Sequence, residues 1–399
     1  MSATLSPSPA PATAPAQPAP LRVCTRCVMD TTDPDITFDA AGVCQHCHDY
    51  DQMTREHVFG GADGQRRLEE LVATIKREGV GKKYDCVIGV SGGVDSTYVA
   101  YKVKQLGLRP LAVHLDNGWD SEIAVSNISV TLKNLGIDLY THVIDWEEFK
   151  DIQLAFLRSG VVDCEIPSDH AIVACVHDAA SREGVRNTIW GYNLKTETHL
   201  PKAWSRAHLD WGYLRAIHQR YGSGRVKTFP RVDFLSYVTD FRLRQKRLML
   251  LDYIDFSKPA ALKILERDLG WRSYGGKHHE SVYTRWYQGW FLPKRWGYDK
   301  RKTHLSSLIC SGQTTRAAAL EELAKPSYDP ELQRADTEYV KKKFGLGEAE
   351  FNQILTGPKR CFHDFPSYWK VQRGGVFRAG LRAYQAVKYG LLRRERPAS

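Results

Sequence analysis

Short apolar runs punctuate the middle of the chain. Those at 86–90, 111–115, 139–144 and 188–191 are bounded by glycine or polar residues, which predicts buried parallel strands. Between them apolar residues recur at helical spacing over 96–106, 123–135, 146–157 and 169–182. An earlier helical pattern at 66–77 stops at Gly79, and a further strand is expected at 249–255. Alternating strand and helix predicts an α/β fold, a doubly wound parallel sheet with helices on both faces. In such sheets ligands bind beyond the carboxyl ends of the strands. Residues 199–316 are rich in Trp, Tyr, Arg, Lys and His, and the remainder is mixed and largely helical.

Composition narrows the class. The 399 residues are 42% hydrophobic and 26% charged, ordinary for a soluble globular chain. No apolar run approaches the ~20 residues of a membrane span. The Pro/Ala-rich start lacks the basic and apolar regions of a secretory signal, and 1–21 is expected to be a disordered tail. A formal net charge of +10 favours anionic partners, or reflects a generally basic surface. The basic residues concentrate in 294–302 and at Arg393, Arg394 and Arg396. Nine cysteines, four of them in two tight pairs, suggest metal ligation in a reducing compartment rather than a disulfide framework. The expected location is the cytoplasm.

The pairs are CTRC, Cys24 and Cys27, and CQHC, Cys44 and Cys47. Two residues between thiolates let one turn present both sulfurs to one ion, and two such turns complete the tetrahedral shell of Zn2+. With all four positions filled the ion is expected to be structural. The module at 22–50 is too short to bury much core, so the metal would hold it folded. His46 and His48 are alternative ligands that four cysteines make unnecessary.

The stretch DCVIGVSGGVDSTYVAYKV joins the first strand to the first helix of the α/β domain. Gly92 and Gly93 allow a tight turn and close backbone approach. Backbone amides, the Ser91 and Ser96 hydroxyls and the helix start can hold phosphate oxygens. The loop has no lysine, so it differs from the G-x-x-x-x-G-K-[ST] loop. Asp95 repels phosphate directly and fits better as a ligand or orienter of Mg2+. The alternative is a glycine turn joined to a capped helix.

SGGVDS, residues 91–96, resembles the pyrophosphate loop of the ATP-pyrophosphatase superfamily, with its adenine nucleotide alpha hydrolase-like fold. The resemblance implies that Ser91, Gly92, Gly93, Val94, Asp95 and Ser96 hold the leaving pyrophosphate of ATP while AMP is transferred to a carbonyl oxygen. CTRCVMDTTDPDITFDAAGVCQHC, VSGGVDSTY, HLDNGW and YGGKHHESVYTRWYQGWFLPKRWGYDKRKTHLSSLICSGQTTR together resemble the N-acetyl sugar amidotransferases of surface-polysaccharide (lipopolysaccharide O-antigen) and nonulosonic-acid biosynthesis. That likeness covers roughly residues 22 to 370. It implies conversion of a sugar N-acetyl group to an acetamidino group with ATP, Mg2+ and ammonia. Its implied partners are a separate glutaminase, an associated ammonia-delivering protein and an acetamido sugar substrate.

The domains expected are the tail at 1–21, the four-cysteine, zinc-ribbon-like module at 22–50, a connector and helix at 51–83, the α/β domain at 84–256 and a substrate- and partner-binding part at 257–399. Asp116, Asn117 and Gly118, ending the second strand, are candidate ribose or adenine contacts, or simply a turn. Lys195 is a candidate for neutralising the α-phosphate, or a solvated loop lysine. Lys277 and Glu280 join the candidate catalytic set, Glu280 as a metal ligand or as a partner of Arg285. His278 or His279 is the candidate general base. Arg285, Lys294, Lys300, Arg301 and His304 are expected at the substrate, against the alternative of a solvated basic surface. The scattered Cys164, Cys175, Cys310 and Cys361 read as buried apolar thiols. Interleaved aromatic and basic residues also suit RNA, so a tRNA-thiolating enzyme with a zinc module is the competing reading, although nucleic acid is not the expected partner. A zinc-ribbon interaction protein without enzymatic activity is the remaining one.

Overall fold

The computed structural model describes residues 21–237, 244–274, 279–368 and 375. Nearly all of the expected tail, Lys277, His278, Arg393, Arg394 and Arg396 lie outside the described residues.

Two helices, α1 (Gln45–His57) and α2 (Gly61–Glu78), precede the sheet. Leu68, Val72 and Ile75 give α2 one buried stripe, the spacing of a single helix face. The chain then runs β1 (Cys86–Gly89), α3 (Val94–Gln105), β2 (Pro110–Asp116), α4 (Glu122–Leu135), β3 (Asp138–Val143), α5 (Trp146–Ser159), α6 (Ile166–Arg182) and β4 (Asn187–Trp190). Side chains of Ser121 and Asp145 accept from Ala124 N and Glu148 N, capping α4 and α5 and fixing where they start. Short α7 (Leu194–Glu197), α8 (Trp211–Tyr221) and the single turn α9 (Phe234–Ser236) lead to β5 (Lys246–Met249). Then come α10 (Lys258–Leu269), α11 (Val282–Trp286), a π-helical turn at Tyr287–Phe291, α12 (Leu292–Trp296), α13 (Arg301–Cys310), α14 (Arg316–Ala324), α15 (Pro330–Phe344) and α16 (Glu348–Thr356).

All five strands pair in parallel, in the order β3-β2-β1-β4-β5. Successive side chains point to opposite faces, so two cores form. Val87, Leu111 and Val113 join Phe149 and Phe156 of α5 and Cys175 and Val176 of α6. Cys86, Ile88 and Ala112 join residues of α2, α3, α4 and α10. The first core continues into Tyr283, Trp286, Phe291 and Phe344, so the C-terminal helices share it with the sheet.

Two strands differ from expectation. β3 is an edge strand with one neighbour, and Leu139 and Val143 are exposed rather than buried. The last strand lies at 246–249, not 249–255; the apolar run that suggested it coils instead into a 3-10 turn at Leu250–Tyr253. An edge tolerates charge, and Lys246 pairs there with Glu78 at 2.6 Å while Arg247 covers the Trp190 ring. Among the described residues no helix is long and apolar enough to cross a membrane.

Candidate functional site

The glycine loop leaves the carboxyl end of β1 and becomes α3. Gly92 has φ 76°, and a Cβ there would fall 2.5 Å from the Ala124 carbonyl oxygen. Only glycine therefore lets the loop tuck under the start of α4. Ser96 Oγ lies at the centre of the turn: it accepts from Ser91 N at 3.2 Å and donates to the Gly93 carbonyl at 3.2 Å, and its oxygen stands 3.2 Å from Ser91 Oγ. Gly93 is the N-cap of α3 with no side-chain hydrogen bond to the first turn. A helix start of this kind, preceded by a glycine turn, suits phosphate oxygens. At the end of β4, Gly191 presses on the loop, where a Cβ would meet Ser96 N at 2.9 Å.

The stretch entering the C-terminal helices covers this loop. Trp271 Nε1 donates to the Gly92 carbonyl at 3.0 Å. Tyr274 and Glu280 face Gly93: a Cβ added there would meet the Tyr274 hydroxyl at 3.3 Å and Glu280 Oε1 at 3.6 Å. The backbone of Glu280 is fixed because its carbonyl accepts from Ser121 N at 2.8 Å. Burial, with the Glu280 and Asp95 carboxylates beside it, pushes the Tyr274 phenol up, so it remains a hydrogen-bond donor at neutral pH. Burial, with Arg285 nearby, lowers His279 and favours its neutral form, the form a general base needs. Asp95 opens α3 and Glu280 faces Gly93, so the structure brings both carboxylates to the loop. Tyr274 opens the YGGKHHES stretch but was not singled out, and Trp271 lies just before it; only the fold brings them over residues 92 and 93.

Asp116, Asn117 and Gly118 form a tight turn. Asp116 Oδ1 accepts from Gly118 N at 2.9 Å and Asn117 Oδ1 from Trp119 N at 3.1 Å. Lys343 of α15 donates to the Gly118 carbonyl and lies 4.5 Å from the Trp119 ring centre. Below, His114 bonds the Val90 carbonyl at 3.0 Å and stands 3.3 Å from Asp120. Burial opposes the His114 cation, yet Asp120 outweighs it and raises the imidazole above its ordinary value. Lys195 sits after β4 as expected, but its ammonium donates to the Ile254 carbonyl at 3.1 Å, toward β5. Beside it burial raises the Asp252 carboxyl to about 6, and its Oδ1 accepts from Leu194 N at 2.9 Å.

The basic segment is largely internal bracing. Arg285 does not pair with Glu280; it binds both oxygens of Asp336, at 2.7 and 2.9 Å. Arg301 bonds Asp299 and the carbonyls of Glu322, Leu323 and Lys325 at the end of α14. Lys294 is exposed, and His304 Nδ1 lies 3.3 Å from the Thr196 carbonyl. Lys300 pairs with Glu165 at 3.0 Å. Burial works against its ammonium, but Glu165 and Asp163 hold it above the ordinary lysine value.

That pair belongs to a polar network with no signature in the sequence. α6 runs back along the sheet into β4, so its start lies at the strands' carboxyl edge. There Asp169 Oδ2 is 2.8 Å from His208 Nδ1, His208 Nε2 is 2.7 Å from Ser205 Oγ, and the Ser205 hydroxyl donates to Asp163. The spacing looks like a Ser-His-Asp triad. Burial opposes the His208 cation, but Asp169 raises it to about 9. The Ser205 hydroxyl gives its proton to Asp163 and not to His208, so the group is a hydrogen-bonded bridge between two carboxylates rather than a serine and its base. Ala207, between Ser205 and His208, has φ 73°, the only non-glycine positive φ among the described residues, strain of the kind found at functional positions.

The four paired cysteines converge. Sγ separations are 3.9 Å for Cys24–Cys47, 3.7 Å for Cys27–Cys44 and 3.8 Å for Cys44–Cys47. A tetrahedral zinc with metal–sulfur bonds of about 2.3 Å requires edges of about 3.8 Å, so the thiols fit that ion. The module packs on Trp204. Arg316 donates to the Cys24 and Cys27 carbonyls at 3.0 Å each, and Val28 N donates to Ser306 Oγ at 3.3 Å. Cys310, expected to be an ordinary thiol, stands 3.8 Å from Cys47 Sγ.

A parallel sheet with helices on both faces and a glycine loop at the carboxyl end of its central strand defines a doubly wound α/β architecture. Residues 280–374 match the family model described as LPS biosynthesis protein WbpG-like, C-terminal domain. Over that stretch the chain carries a WbpG-like domain. No curated protein matches the chain. Similar solved structures include the NMN synthetase of Francisella tularensis, with 19% identity over 34% of this chain and a TM-score of 0.27. The match spans 57% of that synthetase. The NH3-dependent NAD synthetase of Campylobacter jejuni is 14% identical over 75% of this chain and 99% of its own, with a TM-score of 0.31. A predicted subunit of tRNA methyltransferase from Methanocaldococcus jannaschii is 14% identical over 46% of this chain and 75% of its own, with a TM-score of 0.26.

Proposed function

We propose that the chain is an ATP-dependent amidotransferase of lipopolysaccharide O-antigen or nonulosonic-acid biosynthesis, acting in the cytoplasm. It converts a sugar N-acetyl group to an acetamidino group, with ammonia made by a separate glutaminase and passed on by an associated protein. The observation that carries this reading is the roofing of the glycine loop by Tyr274 and Glu280, the second of which is the first residue matched to the WbpG-like domain.

In this reading the α3 amides and the Ser91 and Ser96 hydroxyls hold the pyrophosphate oxygens of ATP, and Asp95 and Glu280 supply carboxylates to Mg2+. The amide oxygen of the sugar attacks the α-phosphorus and pyrophosphate leaves. Adenylation turns that oxygen into a good leaving group. Ammonia adds to the carbon, AMP departs, and the nitrogen loses a proton to give the C=N of the amidine. His279, kept neutral by burial, is the described candidate for that proton; Lys277 and His278 belong to the same segment.

The test incubates the pure chain with ATP, Mg2+, ammonium and a panel of acetamido sugars, free and nucleotide-linked. Replacement of oxygen by NH lowers the sugar mass by about one unit, with AMP and pyrophosphate as co-products. Formation of ADP and phosphate instead overturns the mechanism.

A further inference from the structure

Cys47 belongs to two ligand groups. One is the four-thiol cluster; the other comprises Cys47, His199 and Cys310, whose donor atoms all lie within 4.8 Å of one another. Cys310 closes α13, and its Sγ stands 3.8 Å from Cys47 Sγ and 3.6 Å from His199 Nε2. Cys47 and His199 are fully buried.

The imidazole is oriented as a ligand. His199 Nδ1 lies 2.9 Å from Ser307 Oγ, and the Ser307 hydroxyl donates to the Thr303 carbonyl at 3.2 Å. Ser307 Oγ also accepts from the Thr198 and His199 amides at 3.2 and 3.4 Å, so the ring is pinned at Nδ1 by a fixed hydroxyl and turns Nε2 toward Cys310. A hydrogen bond from the far ring nitrogen is what fixes metal-binding histidines. The separations agree with coordination as well. Bonds of about 2.3 Å to sulfur and about 2.0 Å to nitrogen in a tetrahedron set a sulfur–sulfur edge of about 3.8 Å and a sulfur–nitrogen edge of about 3.5 Å. Without an ion, the Cys310 thiol donates to Cys47 and shares a proton with His199; a metal would replace these protons and hold all three donors at once.

We propose that Cys47, His199 and Cys310 form a second metal position beside the four-cysteine one, holding a thiophilic divalent ion, Zn2+. Cys47 bridges the two ions through its thiolate, and the Cys310 thiol releases its proton on binding. Three protein ligands leave one coordination position open, the pattern of an exchangeable rather than a purely structural zinc.

Elemental analysis of the full chain, loaded with zinc under a thiol reductant, tests this. The expected content is about two zinc ions per chain, falling to about one in Cys310→Ser and in His199→Gln. Because either variant could fold poorly, the wild type is also titrated with a chromophoric chelator. Two release steps of equal size are expected, the weaker one lost first. A folded, zinc-loaded wild type with one ion per chain overturns the proposal, as does a folded Cys310→Ser that retains the wild-type content.

Discussion

Arg285 grips both carboxylate oxygens of Asp336 at a site where each side chain is largely buried, and the Tyr328 hydroxyl bonds the same carboxylate. The pair ties α11 to α15 behind the candidate site. Removing one partner strands the other charge, which costs about 3–5 kcal/mol. Arg285→Ala is therefore expected to lower the urea midpoint by that equivalent, and Asp336→Ala in the same chain to recover part of the loss. A substrate contact would instead raise KM with stability unchanged.

The loop makes a sharper demand. In Gly92→Ala the new Cβ meets the Ala124 carbonyl at 2.5 Å, in a backbone conformation with φ 76°. The expected cost is about 1–3 kcal/mol, with loss of AMP formation greater than the loss of fold. Asp95→Ala should leave the fold intact and abolish AMP release; circular dichroism and product analysis by chromatography separate the two effects.

For the roof, Tyr274→Phe removes only a hydroxyl that faces Gly93. If that donor acts on charge developing at the phosphates, kcat falls about 10²-fold or more while KM for ATP changes little. Glu280→Gln should show in addition a raised Mg2+ requirement. Equal effects on kcat and KM in both variants would assign them to packing alone.

The β1 loop was legible because it is local: an apolar run, two glycines and an amphipathic helix within one continuous stretch. The cysteine pairs were legible for the same reason. What was hidden depends on partners far away in the chain. Nothing near Arg285 announces Asp336 in α15, and nothing near Cys310 announces Cys47. The sequence shows that Arg285 and Arg301 are cations, but not which carboxylates and carbonyls already hold them. The last strand was misplaced because an apolar run suggested it, whereas the sheet edge selected the basic segment at 246–249 that can pair with β4.

His208 should respond to pH in a defined window. Its folded value, raised to about 9 by Asp169, lies above the ordinary unfolded value of about 6.5. The stabilisation is complete below pH 6.5 and is lost as pH rises through about 9. The Tm difference between wild type and His208→Gln is therefore expected to shrink between pH 6.5 and 9.5, and to be small throughout in an Asp169→Asn background. A difference independent of pH would mean that the ring is neutral.

The nitrogen donor gives the last test. Ammonium, dominant near neutrality, has no lone pair with which to attack. The pure chain is expected to use concentrated ammonium salts at mildly alkaline pH and not glutamine; adding the glutaminase and its associated protein should restore glutamine-dependent turnover near pH 7. Amidine formation by the pure chain with glutamine alone would reveal a glutaminase site of its own.

The docking of the cysteine module on α13 and α14 has a consequence for biosynthesis. Cys310 follows Cys47 by 263 residues, and Arg316, which holds the Cys24 and Cys27 carbonyls, is made later still. At translation rates of about 5–20 residues per second, the module waits roughly 13–50 s for its docking surface to be synthesised. During that interval the four thiols lack α13 and α14, the helices that later cover them. Early metal capture would shield them from oxidation and mispairing, so zinc supply during synthesis, rather than after it, is expected to set the yield of correctly assembled protein.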